Sequence, residues 1–339
     1  MTVGAQTNTF GIPGVRENCC FLKQVEDAQR IRNTVINCFE RANLPSNDDE
    51  KKERILTFAV IGAGPTGVEF ASELRDFIES DGGKYYGELL KHVRIKVIEA
   101  SSTVLMPFDK SLQREAIKQL TRAVEIKNPF VASLVLGDFQ LTELLLESGV
   151  GEVKEDVIVL NNGREIPYGM AVWAAGNGPL PLTLNLIDAL EGTEQESVQA
   201  VARGRLGVDP WLRVLGGDGS LLAVGDCTCI EGGTGQLPAT AQVAAQQGEY
   251  LARLLSRNAD LRNTCSDTDA ENSIINSNSN SMVPPRLDPA WERTPSESIA
   301  AFAMNNDGAK YVAPFQFLNL GILAYTGGVG SGAATIRAG

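Results

Sequence analysis

The chain has 339 residues, 43% of them hydrophobic and 21% charged, which is the balance of a globular protein long enough for two domains with cores of their own. A formal net charge of −12 opposes a phosphate backbone and argues against nucleic acid as a partner, and no apolar stretch approaches the roughly 18 residues that span a bilayer. Six cysteines without a Cys-x-x-Cys, and His92 as the only histidine, leave no dithiol centre, no expected metal site and no Ser-His-Asp triad.

His92 is therefore assigned a surface or capping role, and the thiols are expected to be buried or inert. The opening residues MTVGAQTNTF carry neither an apolar signal core nor an arginine-rich presequence, so any membrane attachment is expected to be peripheral.

In chain order, residues 20–42 place Leu22, Val25, Ile31, Val35, Ile36 and Phe39 near the helical period, which predicts an amphipathic helix. The polar run 45–54 breaks that pattern. ILTFAVI at 55–61 then reads as a fully buried parallel strand. A helix over 65–80, a Gly82-Gly83 loop and a second buried strand at 93–100 complete a strand-helix-strand order. Another helix is expected at 111–123, followed by LVLGDFQLTELLLESG, whose pattern does not separate strand from helix. Residues 157–176 read as two strands around Asn162-Gly163, a dipeptide that favours a tight hairpin turn. SLLAVGD at 220–226 reads as a further buried strand and 237–255 as a long helix. Residues 258–298 are polar and repetitive, too poor in apolar groups to offset their ordering entropy, and are expected to be disordered.

Gly62-Ala63-Gly64-Pro65-Thr66-Gly67 fits G-x-G-x-x-G and directly joins a buried strand to a helix, the context in which that pattern binds a dinucleotide. Gly62 permits the tight turn, Gly64 admits a pyrophosphate against the backbone, and Gly67 lets helix and sheet approach. The helix amino end, with Pro65 and Thr66, faces the diphosphate. Glu99, at the end of the second strand, can accept from both ribose hydroxyls and repel a 2′-phosphate, which favours NADH over NADPH. Its spacing of 32 residues from Gly67 exceeds the roughly 20 of the compact motif, and segment 79–92 absorbs the excess. Glu69 lies two residues beyond Gly67 in the helix, where the helix amino end favours a carboxylate that can reach the nicotinamide side. Ala175 and Gly176, where the last strand of the hairpin region ends, are placed with the cofactor-binding residues.

Together with VIGAGPTGVEFASEL, the segments TFGIPGV (9–15), FLKQVEDAQRIR (21–32), FDKSL (108–112), EIPYGMAVWAAG (165–176), VDPWLRV (208–214), VGDC (224–227) and ATAQVAAQQGEYLA (239–252) occur in order. In this the chain resembles the type II, or alternative, NADH:quinone oxidoreductases of mitochondrial eukaryotic style. The match covers most of residues 3–255, weakens over 124–156 and resumes faintly at 314–321.

The resemblance implies an α/β fold of two Rossmann-like domains, one for FAD and one for NADH, in the manner of the pyridine nucleotide-disulfide oxidoreductases. It implies hydride transfer from NADH to FAD and then two electrons to a quinone, without proton pumping. Gly225 and Asp226 become the second flavin motif, Gln242 and Gln246 line the quinone side, and Glu69 lies near the nicotinamide. A peripheral contact with the mitochondrial inner membrane is implied for the full-length form, and a homodimer is compatible with it.

The family's opening strand and first G-x-G-x-x-G, which hold the ADP half of FAD, find no counterpart here, and the membrane-binding end is likewise not found. The expectation is therefore a chain truncated at both ends, with an incomplete FAD domain. Residues 1–54 become a remnant of that domain and a linking helix, 55–175 the NADH domain, and 176–257 the second part of the FAD domain. Residues 258–298 become the disordered insertion and 299–339 a truncated C-terminal region. The alternatives are a catalytically impaired NADH-binding fragment and a related FAD-dependent reductase with a different acceptor.

Overall fold

A computed structural model describes residues 1–123, 140–231, 237–256, 314–318 and 325–327, with the backbone of a few short strands beyond residue 256. The chain divides into two compact units. One comprises Thr7–Asn177 with Leu320–Gly339, the other Met1–Gln6 with Gly178–Asn319. Among the described residues no helix is long and apolar enough to cross a membrane.

The first unit is built on five parallel strands. In chain order its elements are β1 (Cys19–Phe21), α1 (Val25–Ala42), α2 (Asp49–Ile55), β2 (Thr57–Ile61), α3 (Pro65–Phe77), β3 (Arg94–Ile98), α4 (Lys110–Leu120) and β4 (Thr142–Leu145). An antiparallel trio follows, β5 (Val150–Val153), β6 (Val157–Leu160) and β7 (Glu165–Pro167), and the chain then returns to the main sheet as β8 (Met170–Trp173). The sheet order is β1-β8-β2-β3-β4, all neighbours parallel. All five residues of β2 are buried, as a central strand covered on both faces requires. One core cluster packs Ile31, Val35 and Phe39 of α1 with Phe58, Val60, Val68, Leu74, Ile95 and Val97. Each such side chain contributes about 1.5–3 kcal/mol by leaving water.

Several local expectations are corrected. The helix predicted from residue 20 starts at Val25, because Cys19–Phe21 pairs with Ala171–Trp173 as an edge strand. The helix begins where Gln24 and Asp27 form a reciprocal capping box, the Asp27 carboxylate accepting the Lys23 and Gln24 amides at 2.9 Å. The polar run before β2 is itself helical from Asp49, since Asp48 accepts the Lys51 amide at 2.8 Å. Gly82 and Gly83 lie in continuing helical turns rather than a loop. The undecided stretch supplies strand β4 at Thr142–Leu145, while its residues 134–139 lie outside the described ones. Residues 157–176 hold three strands, not two. The break falls at Gly169, where a Cβ would stand 1.8 Å from the Ile55 carbonyl oxygen. His92 is buried at 6% exposure, not on the surface, with Nε2 3.4 Å from Asp49.

The second unit holds α5 (Pro181–Ala189), α6 (Glu194–Ala202), β9 (Leu206–Val208), β10 (Thr228–Ile230) and α7 (Ala241–Ser256), with β9 and β10 parallel. Its core gathers Leu206, Val208, Leu212, Val214, Ala223, Val224 and Phe315. The strand expected at 220–226 does not form as a ladder. Its backbone groups pair singly with irregular chain: Leu222 and Val224 with Met1, Ala223 with Leu212. The disordered insertion expected at 258–298 lies outside the described residues, except that Asp260–Thr264 and Arg286–Leu287 pair as parallel strands with Tyr311–Val312. Residues 7–54, expected with the flavin domain, group instead with the unit that carries β2, because β1 and α1 pack on its sheet.

Candidate dinucleotide sites

In the first unit, the loops at the carboxyl ends of β8, β2 and β3 lie side by side, the location at which open α/β sheets bind ligands. Gly62 follows β2 with φ +101°, a conformation reserved for glycine, and donates its amide to the Ile98 carbonyl at 2.8 Å. A Cβ on Gly67 would meet the Gly62 carbonyl oxygen at 1.8 Å, so helix and turn touch only because that side chain is absent. At Gly64 a Cβ would meet nothing within 4 Å. Gly64 is also the N-cap of α3, with no side chain capping the helix and Pro65 at its first position. An uncapped helix amino end beneath open space is the arrangement that receives an anion.

Glu99 follows β3, and its carboxylate is fixed by three donors. The Ala63 amide bonds Oε2 at 2.7 Å, and the Ser101 amide and hydroxyl each bond Oε1 at 2.9 Å. Oε1 has both of its lone-pair sites taken, and Oε2 retains one for a further hydroxyl. Ala175, after β8, stands against the turn, 2.9 Å from where a Gly62 Cβ would be. Gly176 has φ +72° and lies against Phe10, whose ring would meet a Cβ there at 2.5 Å. Glu69, the fifth residue of α3 and half-buried, accepts the Tyr325 amide on Oε1 at 3.3 Å. The predicted residues Gly62, Gly64, Pro65, Thr66, Gly67, Glu69, Glu99, Ala175 and Gly176 thus share one edge of one sheet.

The second unit holds the other predicted set. Gly225 has φ +81° and begins a tight helical turn, Gly225–Cys227, into β10. The Asp226 side chain is half-buried and has no hydrogen-bond partner among the described residues. The Gly225 amide donates to Gln247 Oε1 at 2.6 Å, and Gln247, on α7, is 1% exposed. In the sequence Gln247 is only one position of the long helix expected at 237–255. A glutamine on the apolar face of a helix was the signal that marked it out. Gln246 exchanges two 2.9 Å bonds with the main chain of Leu318, which occupies its amide, and Gln242 is half-buried on the same helix. Burial pushes the Cys19 thiol up to about 12 and Cys38 up to about 11, so neither is a thiolate near neutrality.

The chain is 42% identical over 231 residues to an external alternative NAD(P)H-ubiquinone oxidoreductase B3, mitochondrial, of Arabidopsis thaliana, covering 68% of this chain and 36% of that protein. It is 41% identical over 262 residues to the external NADH-ubiquinone oxidoreductase 2, mitochondrial, of Saccharomyces cerevisiae, covering 76% of this chain and 43% of that one. The chain therefore spans less than half the length of these two relatives. Its fold is similar to that of NDH2 from Plasmodium falciparum, solved in complex with NADH, at a TM-score of 0.63 and 22% identity over 96% of this chain and 67% of that one. The family model for pyridine nucleotide-disulphide oxidoreductases matches residues 1–248, most of the chain, and with the α/β fold and parallel sheet described above it establishes that this chain belongs to that family.

Proposed function

We propose that the chain is part of an NADH:quinone oxidoreductase of the type II kind, in which a hydride passes from NADH to FAD and two electrons then pass to a quinone. The observation that carries this reading is the uncapped amino end of α3 beneath the open space at Gly64, with Glu99 fixed beside it. In this reading the amides of Thr66 and Gly67 hold the dinucleotide diphosphate, and the Glu99 carboxylate accepts from the ribose hydroxyls and repels a 2′-phosphate. Glu69, the proposed catalytic residue, presents its carboxylate to the nicotinamide end, while Ala175 and Gly176 bound the cleft.

The residues at the second turn suit a flavin. The Asp226 carboxylate, half-buried and without a donor among the described residues, suits ribityl hydroxyls, and Gly225 leaves the backbone open beside it. FAD, when bound, supplies the acceptor for the hydride. The chain's own residues bind and orient the two dinucleotides and keep water from them, and no side-chain acid or base is needed for the transfer. Gln242 and Gln246 are proposed on the quinone side, and residues 55–175 as the NADH-binding part. Peripheral attachment to the mitochondrial inner membrane is proposed for the full-length protein.

The test is a visible spectrum of the purified full-length protein, recorded before and after anaerobic addition of NADH and again after a soluble quinone. Flavin bands that bleach with NADH and return with quinone are expected. A colourless protein that still binds NADH would overturn the enzymatic reading and leave a nucleotide-binding protein.

A further inference from the structure

One segment late in the chain reaches the helix of the nucleotide turn. Tyr325 follows the strand Ile322–Ala324 and makes two hydrogen bonds to α3: its amide donates to Glu69 Oε1 at 3.3 Å, and its phenol donates to Asp76 Oδ2 at 2.7 Å. Glu69 and Asp76 are seven residues apart, two turns along one helix face, so a single residue bridges from the second turn to the last. Gly327 continues the contact with φ +85°. A Cβ there would stand 3.3 Å from the Ser72 Cβ, so the segment lies close against the helix between those two anchor points.

The far anchor is rigid. Asp76 pairs with Arg122 at 3.4 Å, and Arg122 pairs with Glu79 at 2.8 Å. Glu79 lies 2.9 Å from the guanidinium of Arg75, which is 1% exposed and donates to the carbonyls of Leu120, the last residue of α4, and of Arg122 and Ala123 beyond it. The Asp76 carboxylate that accepts the phenol holds the Tyr325 hydroxyl protonated, pushing its pKa up to about 12, so the bond persists through the neutral range. Glu69 Oε2, by contrast, has no partner among the described residues. The carboxylate is thus pinned by one oxygen and left open at the other.

We propose that Tyr325 is the positioning residue for Glu69, its phenol anchored on Asp76 so that its amide fixes one carboxylate oxygen and turns the other toward the nicotinamide end of the cleft. This rests on the placing of Glu69 at that end. It adds that a residue roughly 250 positions along the chain sets the geometry of the dinucleotide site, acting through Glu69 and not by touching NADH.

The experiment is a double-mutant cycle on the full-length holoenzyme, with Tyr325→Phe, Glu69→Gln and the pair, read by equilibrium NADH titration and by the KM for NADH and for quinone. Tyr325→Phe is expected to weaken NADH binding by about 3- to 10-fold, the range of one ordinary hydrogen bond, because the lost bond acts on the site only through Glu69. The quinone KM should not move. In the Glu69→Gln background the same substitution should have no further effect, because the interaction it supports is already gone. An equal loss in both backgrounds, or no loss from Tyr325→Phe while Glu69→Gln weakens NADH, would overturn the proposal and leave Glu69's place intact. If Glu69→Gln itself leaves NADH affinity unchanged, the placing of Glu69 fails and the proposal falls with it. Asp76→Ala removes the anchor from the other side and should reproduce Tyr325→Phe, which covers the case in which that variant folds poorly.

Discussion

The turns at Gly62 and Gly225 are alike in backbone and unlike in what supports them. Both glycines have positive φ, +101° and +81°. The first turn is held by its immediate neighbours: the Ile98 carbonyl takes the Gly62 amide, Gly67 lies under the turn, and α3 begins three residues on. The second is held by a side chain, Gln247 Oε1, which takes the Gly225 amide from 22 residues away. A turn built from its own strand and helix is specified by consecutive residues. A turn whose amide is satisfied from another helix is specified only when that helix has docked.

The sharpest way to break the first turn is Gly67→Ala. The added carbon would lie 1.8 Å from a backbone oxygen that has no rotamer to retreat into, so α3 must move off the sheet. Overpacking of this kind costs about 3 kcal/mol or more. Thermal melting should shift down by several degrees and NADH affinity fall about 100-fold, since the helix amino end moves with the helix. Unchanged NADH binding in a folded Gly67→Ala protein would remove the turn from the site.

A smaller effect is expected at the second turn. Gln247→Ala leaves the half-buried Gly225 amide without its partner, which costs about 1 kcal/mol. The flavin content per chain of the full-length protein should drop while the NADH dissociation constant stays near the wild-type value. If both cofactors weaken together, the two turns are not supported independently and the contrast drawn above fails.

The same contrast explains what could be read from the sequence. Strand β2, the glycine turn, α3 and β3 follow one another, and each leaves a local mark: a continuous β-branched run, glycines at fixed spacing, helical periodicity. All were legible, with Glu99 at the predicted strand end despite its long spacing. The features missed depend on partners remote in sequence. Cys19–Phe21 is too short to register as a strand, and forms one because Ala171–Trp173 offers an open edge. Gly169 ends a strand because the Ile55 carbonyl lies where its Cβ would be. Leu222 and Val224 share an apolar run that looks like a strand, yet their hydrogen bonds go to Met1. Gln247 and Tyr325 likewise have roles visible only once helices and strands have packed.

The smallest effect separates the ends of the nucleotide sheet. His92 precedes β3 at its amino end, whereas the glycine turn follows β2 at the carboxyl end. Burial pushes the His92 imidazole down from its ordinary value, and Asp49 draws it partly back while Lys91, Lys52 and Arg94 add to the lowering. The unfolded chain therefore takes up this proton near pH 6.5, and the folded chain only at a lower pH. Stability from this group is complete above the unfolded value and is lost as pH falls from there through the folded one. His92→Gln should flatten that part of the pH dependence, seen as urea midpoints that differ less between about pH 8 and about pH 5 than in the wild type. NADH affinity near neutrality should be unaltered, because the change is confined to the end of the sheet remote from the dinucleotide. A shift in NADH binding with His92→Gln would show that the amino end of β3 is coupled to the turn, and the independence of the two ends would be lost.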